Sequence, residues 1–133
     1  MTRSKGYEYA RQAAKNASFK RCKMGAAAVY RGSLLALGWN SEKTHPLQAR
    51  YNRLREFDGY HFQSKLHAEM MVITKIAHLD IDFSQVDLYI WRGDEDAPRL
   101  SRPCAACEAA LRELGIKRVF YTGNNSYIKE VYD

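Results

Sequence analysis

Two short segments constrain this chain more than any others: His67-Ala68-Glu69 in its middle and Pro103-Cys104-Ala105-Ala106-Cys107 well downstream. Together they supply one imidazole, two thiols and a carboxylate. A catalytic zinc ion takes three nitrogen or sulfur ligands from the protein and keeps its fourth position open. His67, Cys104 and Cys107 are such a set, and Glu69 is then left over as a base. The C-x-x-C spacing predicts both thiols in the first turn of a helix, where unpaired N–H groups and the helix dipole favour thiolates. Pro103 just before them suits a helix start. A Lewis-acid metal lowers the pKa of its water from about 15.7 to roughly 7, and a neighbouring carboxylate can accept the proton. Each half alone is weak, since C-x-x-C also serves redox or structural roles and the alternative is a structural zinc site or a buried histidine with two core cysteines.

The pair H-A-E and P-C-x-x-C, in that order, resembles the signature of the cytidine and deoxycytidylate deaminase superfamily. The histidine in the first motif places the resemblance nearest the branch with deoxycytidylate deaminases and tRNA adenosine deaminases. It covers roughly residues 5 to 122. The fold it implies, together with the pattern of elements, is three-layer α/β/α with a mixed sheet of four or five strands. The activity it implies is hydrolytic deamination of a nucleobase, with Glu69 as proton shuttle and Zn2+ held by His67, Cys104 and Cys107. It further implies that the Ala68 N–H meets the carbonyl oxygen of the base and that Asn40 contacts the sugar or base; from the residues alone, Asn40 is equally a turn asparagine. A homo-oligomer is part of the same expectation.

Length bounds the organisation: 133 residues suit a single domain, 1–133. With 46% hydrophobic and 27% charged residues the chain is ordinary for a globular protein. It has no apolar run long enough to cross a bilayer and no secretory leader, so no membrane partner and a cytoplasmic location are expected. Three cysteines are too few for a disulfide framework, and with two assigned to the metal Cys22 is left as a core or partly exposed thiol.

The net charge of +6 is concentrated near the start, where seven basic residues up to Lys23 face the single acid Glu8. Such a stretch favours polyanions, or is a solvated helix face.

Along the chain, Tyr7 to Phe19 is predicted helical, with Tyr7, Ala10, Ala14 and Ala17 on one stripe. Met24–Tyr30 and Leu34–Trp39 are predicted strands joined by a hairpin at Arg31-Gly32-Ser33, apolar enough to be covered on both faces. Residues 41–66 form a basic insertion in which Lys43, Arg50 and Arg53 are candidates to grip a phosphate, the alternative being a solvated basic face. His45 and His61 lie there without a second cysteine pair, so one zinc is expected. Lys65–Leu79 reads as a buried helix. His67 and Glu69, at i and i+2, reach one pocket only from the first turn of such a helix.

Val86–Trp91 and Lys117–Thr122 read as further strands, parallel because a short helix joins them. The acidic loop 92–102 lies between; Ser101 and Arg102, just before Pro103, are expected at the pocket edge, and Trp91 is a candidate substrate contact. The helix from Cys104 to Leu114 stops at Gly115. The tail Ser126–Asp133 reads as one short helix.

For substrate, cytosine in a free nucleotide such as deoxycytidylate is favoured, because the resembling branch handles phosphate through the insertion after Asn40. The alternative is a cytosine or adenine deaminase acting on single-stranded DNA or RNA, with Trp91, Tyr51 and the basic start of the chain as its stacking and charge elements. A third reading is a non-catalytic, zinc-stabilised nucleotide-binding module.

Overall fold

The structure is a computed structural model that describes residues 3–17, 23–44, 46, 51, 65–93, 100–124 and 126–133. One side of its main sheet is a hairpin of two strands, β1 (Lys23–Tyr30) and β2 (Ser33–Trp39). The turn between them puts Arg31 at φ 49° and Gly32 at φ 83°, the conformation whose twist matches that of paired strands. β1 is an interior strand, and Gly25 to Val29 are buried without alternation, as a strand covered on both faces must be.

Antiparallel to β1 on its other side runs β5 (Val86–Gly93). β6 (Arg118–Gly123) pairs parallel to β5, with Asp87 opposite Arg118 and their side chains hydrogen-bonded across the ladder. β7 (Ser126–Val131) returns antiparallel on β6, giving the five-stranded order β2-β1-β5-β6-β7. The expected mixed sheet is therefore present with five strands. The tail is a strand and not the short helix expected of it: Ser126 pairs with Gly123, and the chain then covers the open edge of β6.

Helices cover both faces. α1 (Arg3–Ala14) lays its alanine stripe on one, where Tyr7, Ala10, Ala27, Val29, Tyr89 and Phe120 form a small core. The expected stripe residues Tyr7, Ala10, Ala14 and Ala17 are all buried. α2 (Ala68–Ile76) and α3 (Ala105–Leu114) cover the opposite face over the larger core, which contains Met70, Val72, Ile76, Leu88, Ile90 and Leu111. α2 is shorter than the apolar pattern predicts, because residues 65–66 belong to a strand and Ala77 is already exposed. α3 ends at Gly115, whose φ of 102° is the left-handed cap anticipated for a glycine at that place. No helix among the described residues is long and apolar enough to cross a membrane.

The connection after β2 begins and ends in a second, two-stranded sheet of β3 (Ser41–Thr44) and β4 (Lys65–Leu66), a pairing that no sequence pattern announced. Between them Tyr51 packs against the larger core, and its hydroxyl donates to Glu113 on α3.

Among the described residues, a buried hydroxyl of this core lacks a partner. Tyr132, just past β7, is 2% exposed, and its hydroxyl has no hydrogen bond; burial pushes that hydroxyl up. Leaving a buried polar atom unpaired costs about 1–3 kcal/mol. Tyr132→Phe keeps the ring that stacks under Arg112 at 4.4 Å and is expected to raise the unfolding free energy by about 1 kcal/mol, read from urea melts.

Candidate active site

The three expected ligands converge at the N-terminal ends of α2 and α3. His67 is the residue that caps α2, with extended backbone at φ −82° and ψ 157°. Cys104 holds the equivalent place on α3 at φ −70° and ψ 169°. Neither side chain caps its own helix. Both are instead available to a common centre between the two positive helix ends, which favour thiolate charge. Cys107, one turn into α3, completes the group.

The ligand atoms lie within 4.8 Å of one another. His67 Nδ1 is 3.6 Å from Cys104 Sγ and 3.4 Å from Cys107 Sγ. Tetrahedral zinc with bonds of about 2.1 Å to nitrogen and about 2.3 Å to sulfur sets an N···S edge of about 3.6 Å, which both N···S distances here match.

Glu69 is the second residue of α2 and only 2% exposed. This answers the geometric problem posed by its i, i+2 spacing from His67: the histidine stands outside the helix and the glutamate just inside it. Burial raises its carboxyl above the ordinary range, opposed by the charge of His67. It hydrogen-bonds the Cys107 thiol, yet its Oε1 has no partner. A buried carboxylate oxygen left unpaired beside a metal triangle marks a place for a polar small molecule. The first N–H groups of α2, that of Ala68 among them, have no acceptor within the helix.

The thiols share a proton. A hydrogen bond from Cys107 brings Cys104 down to about 4, with His67 adding to it against burial. The same bond, and burial, push Cys107 up.

Packing of β2 brings α2 to the site. A side-chain carbon at Gly38 would lie 2.4 Å from the Ala68 carbonyl oxygen, so only glycine lets the strand approach the start of this helix. Trp39 lies against the same helix, its backbone N–H donating to Met71 Sδ at 3.4 Å and Lys75 Nζ 4.6 Å from its ring centroid. Asn40 ends β2: Met24 N–H donates to its Oδ1 at 2.9 Å and its own N–H donates to Met24 O at 3.2 Å. It thus satisfies the structural reading of a strand-end asparagine, in a rigid position.

Two expected pocket residues are placed elsewhere. Trp91 packs with the α1-side core, because strand alternation sends Leu88 and Ile90 towards α2 and α3 but Tyr89 and Trp91 the other way. Ser101 is 1% exposed, and its hydroxyl is turned into the sheet. Arg50 and Arg53 lie outside the described residues, as do His45, His61, Cys22 and residues 94–99 of the acidic loop; the backbone of Lys43 is in β3.

Sequence reasoning missed a latch on the loop before Cys104. Arg102 donates to Glu130 of β7 through Nε at 3.1 Å and Nη2 at 3.0 Å. These bonds hold Glu130 below the ordinary carboxylate range, so they stabilise the fold above that range, and the contribution fades as pH falls below about 4.3. Glu130→Gln is expected to lower the melting temperature at pH 7 by an amount equivalent to under about 1 kcal/mol, since the pair is partly exposed. The difference from wild type should shrink as pH falls through the folded-state value of Glu130, which lies below the ordinary carboxylate range.

Fold and site together define a zinc-dependent hydrolytic enzyme. Residues 1–123 match the family described as the cytidine and deoxycytidylate deaminase zinc-binding region, and the chain belongs to this family of zinc-dependent deaminases. Among solved structures it is similar to cytidine deaminase from Burkholderia pseudomallei, with a TM-score of 0.70, 19% identity, and coverage of 98% of this chain and 93% of the other. It is also similar to dCMP deaminase from the cyanophage S-TIM5, with a TM-score of 0.64, 24% identity, and coverage of 92% and 86%. A structure of that phage enzyme in complex with dCMP and dUMP aligns with a TM-score of 0.59 at 24% identity, covering 91% and 82%. At these identities the likeness is one of fold. No curated protein matches the chain in sequence.

Proposed function

We propose that this deaminase converts cytosine to uracil in a free nucleotide such as deoxycytidylate. The observation that carries the chemistry is the buried Glu69 carboxyl, with one oxygen unpaired beside the His67, Cys104 and Cys107 triangle. His67, Cys104 and Cys107 would hold zinc, which would supply the Lewis acid that makes water a nucleophile at neutral pH. Glu69 takes a proton from that water and delivers it to the ring nitrogen as oxygen bonds to the carbon bearing the amine. It then passes the second proton to the amine, the C–N bond breaks and ammonia leaves. Burial serves this role, since it raises the Glu69 carboxyl above the ordinary carboxylate range and so makes its carboxylate a stronger proton acceptor. The Ala68 N–H binds the carbonyl oxygen of the base, and Asn40, held by Met24, contacts the sugar.

The substrate class is supported by the basic insertion, in which Lys43, Arg50 and Arg53 take the phosphate, and by the fold likeness to a phage enzyme described with dCMP and dUMP. A homo-oligomer acting in the cytoplasm belongs to the same reading. Turnover of deoxycytidylate, cytidine and a single-stranded oligonucleotide at two salt concentrations tests it. Deoxycytidylate should react fastest with shallow salt dependence. Reaction of the oligonucleotide alone, with a steep fall as salt rises, would replace this reading with the nucleic-acid one.

A further inference from the structure

The central sheet opens where the site begins. β5 and β6 are in register from Asp87 opposite Arg118 to Ile90 opposite Tyr121, and beyond that point hydroxyl groups take over the pairing. The Arg92 N–H donates to Thr122 Oγ1 at 3.2 Å. Ser101, arriving from the segment that leads to Pro103, enters the gap. Its N–H donates to the Thr122 carbonyl at 2.8 Å. Its hydroxyl accepts from the Thr122 N–H at 2.8 Å and from Thr122 Oγ1 at 2.9 Å. That hydroxyl donates in turn to the Ile90 carbonyl at 3.1 Å, with the Thr122 carbonyl at 3.3 Å. Ser101 is 1% exposed and Thr122 fully buried, so these bonds are made away from water.

We propose that Ser101 and Thr122 are positioning residues for the metal ligand Cys104. The link from anchor to ligand is stiff. Pro103 has a locked φ, Arg102 is restricted because it precedes proline, and its side chain is pinned by Glu130. With so few soft torsions between Ser101 and Cys104, the height of the hydroxyl rung in the sheet sets where Cys104 Sγ stands relative to His67 Nδ1. The rung does for this ligand what outer-shell hydrogen bonds do for metal-bound histidines. It acts through placement and touches neither substrate nor metal. The proposal rests on the zinc site and is independent of the choice of substrate.

The test compares Thr122→Val, which keeps the shape and removes the hydroxyl, with Thr122→Ser, which keeps the hydroxyl, alongside Ser101→Ala. The readouts are zinc affinity by chelator competition, the absorption spectrum of the Co2+-substituted protein, and the melting temperature of the metal-free form. Thr122→Val and Ser101→Ala are expected to weaken zinc binding by about 10- to 100-fold and to shift the Co2+ bands. Thr122→Ser should restore both. Wild-type zinc affinity and an unchanged Co2+ spectrum in the Val and Ala variants overturn the proposal, whatever their melting temperatures. Should those variants fail to fold, amide exchange in the wild-type protein decides: the Ser101 and Thr122 amides should be protected equally with and without zinc. Amides that become protected only when zinc is added would mean that the metal orders the rung, and the proposal fails.

Discussion

Glu69→Gln is expected to lower turnover by about 10²- to 10⁴-fold, the range supplied by a positioned general acid–base, while zinc content stays that of the wild type. The amide matches the carboxylate in shape and so fits the same buried place, but it cannot take and return a proton. Because Glu69 is not a member of the metal triangle, the loss should fall on kcat and leave the Co2+ spectrum intact. The same variant reports on stability. Burial raises the Glu69 pKa in the folded protein, so the metal-free fold is favoured where the carboxyl is neutral, and that advantage is lost as pH rises through the folded-state value. Metal-free Glu69→Gln is therefore expected to be more stable than metal-free wild type at alkaline pH and nearly equal to it in acid. Full turnover by the Gln variant would remove the carboxylate from the mechanism.

Cys107→Ser should abolish activity by a different route. A serine hydroxyl fills the space but does not ionise at neutral pH, so the triangle keeps only His67 and Cys104. Zinc affinity is expected to fall by more than the roughly 10- to 100-fold lost when an outer partner is removed, with turnover at background and no thiolate band from the missing sulfur in the Co2+ protein. In the metal-free wild type the hydrogen bond from Cys107 favours the thiolate of Cys104 and, with burial, favours the protonated form of Cys107. Zinc must displace that proton, so affinity falls as pH falls. Calorimetry in buffers of different ionisation enthalpy should show about one proton released from the thiol pair per zinc in wild type. Zinc uptake by Cys107→Ser as tight as wild type would exclude Cys107 as a ligand.

Tyr51 offered an exposed aromatic for stacking, yet it packs on the core and donates to Glu113. Trp91 offered a second aromatic for stacking, but alternation along β5 assigns it to the α1 face. Ser101 lies near Cys104 in the chain, and its hydroxyl is nonetheless used to close the gap between two strands. In each case the residue type and neighbourhood were legible, and the direction of the side chain was not.

What the amino-acid sequence determines by itself is local: which residues can bind zinc, the start of α3 after Pro103, its stop at Gly115, the hairpin at Arg31-Gly32 and the alanine stripe of α1. Each follows from backbone preference or from donor chemistry within a few residues. Tertiary structure alone decided that Ser126–Val131 is a strand, since only the open edge of β6 gives those backbone groups partners. It likewise decided that β2 approaches α2 at Gly38 and that Ser101 joins β5 to β6. These outcomes depend on contacts between segments far apart in the chain, and no local propensity encodes where such segments meet.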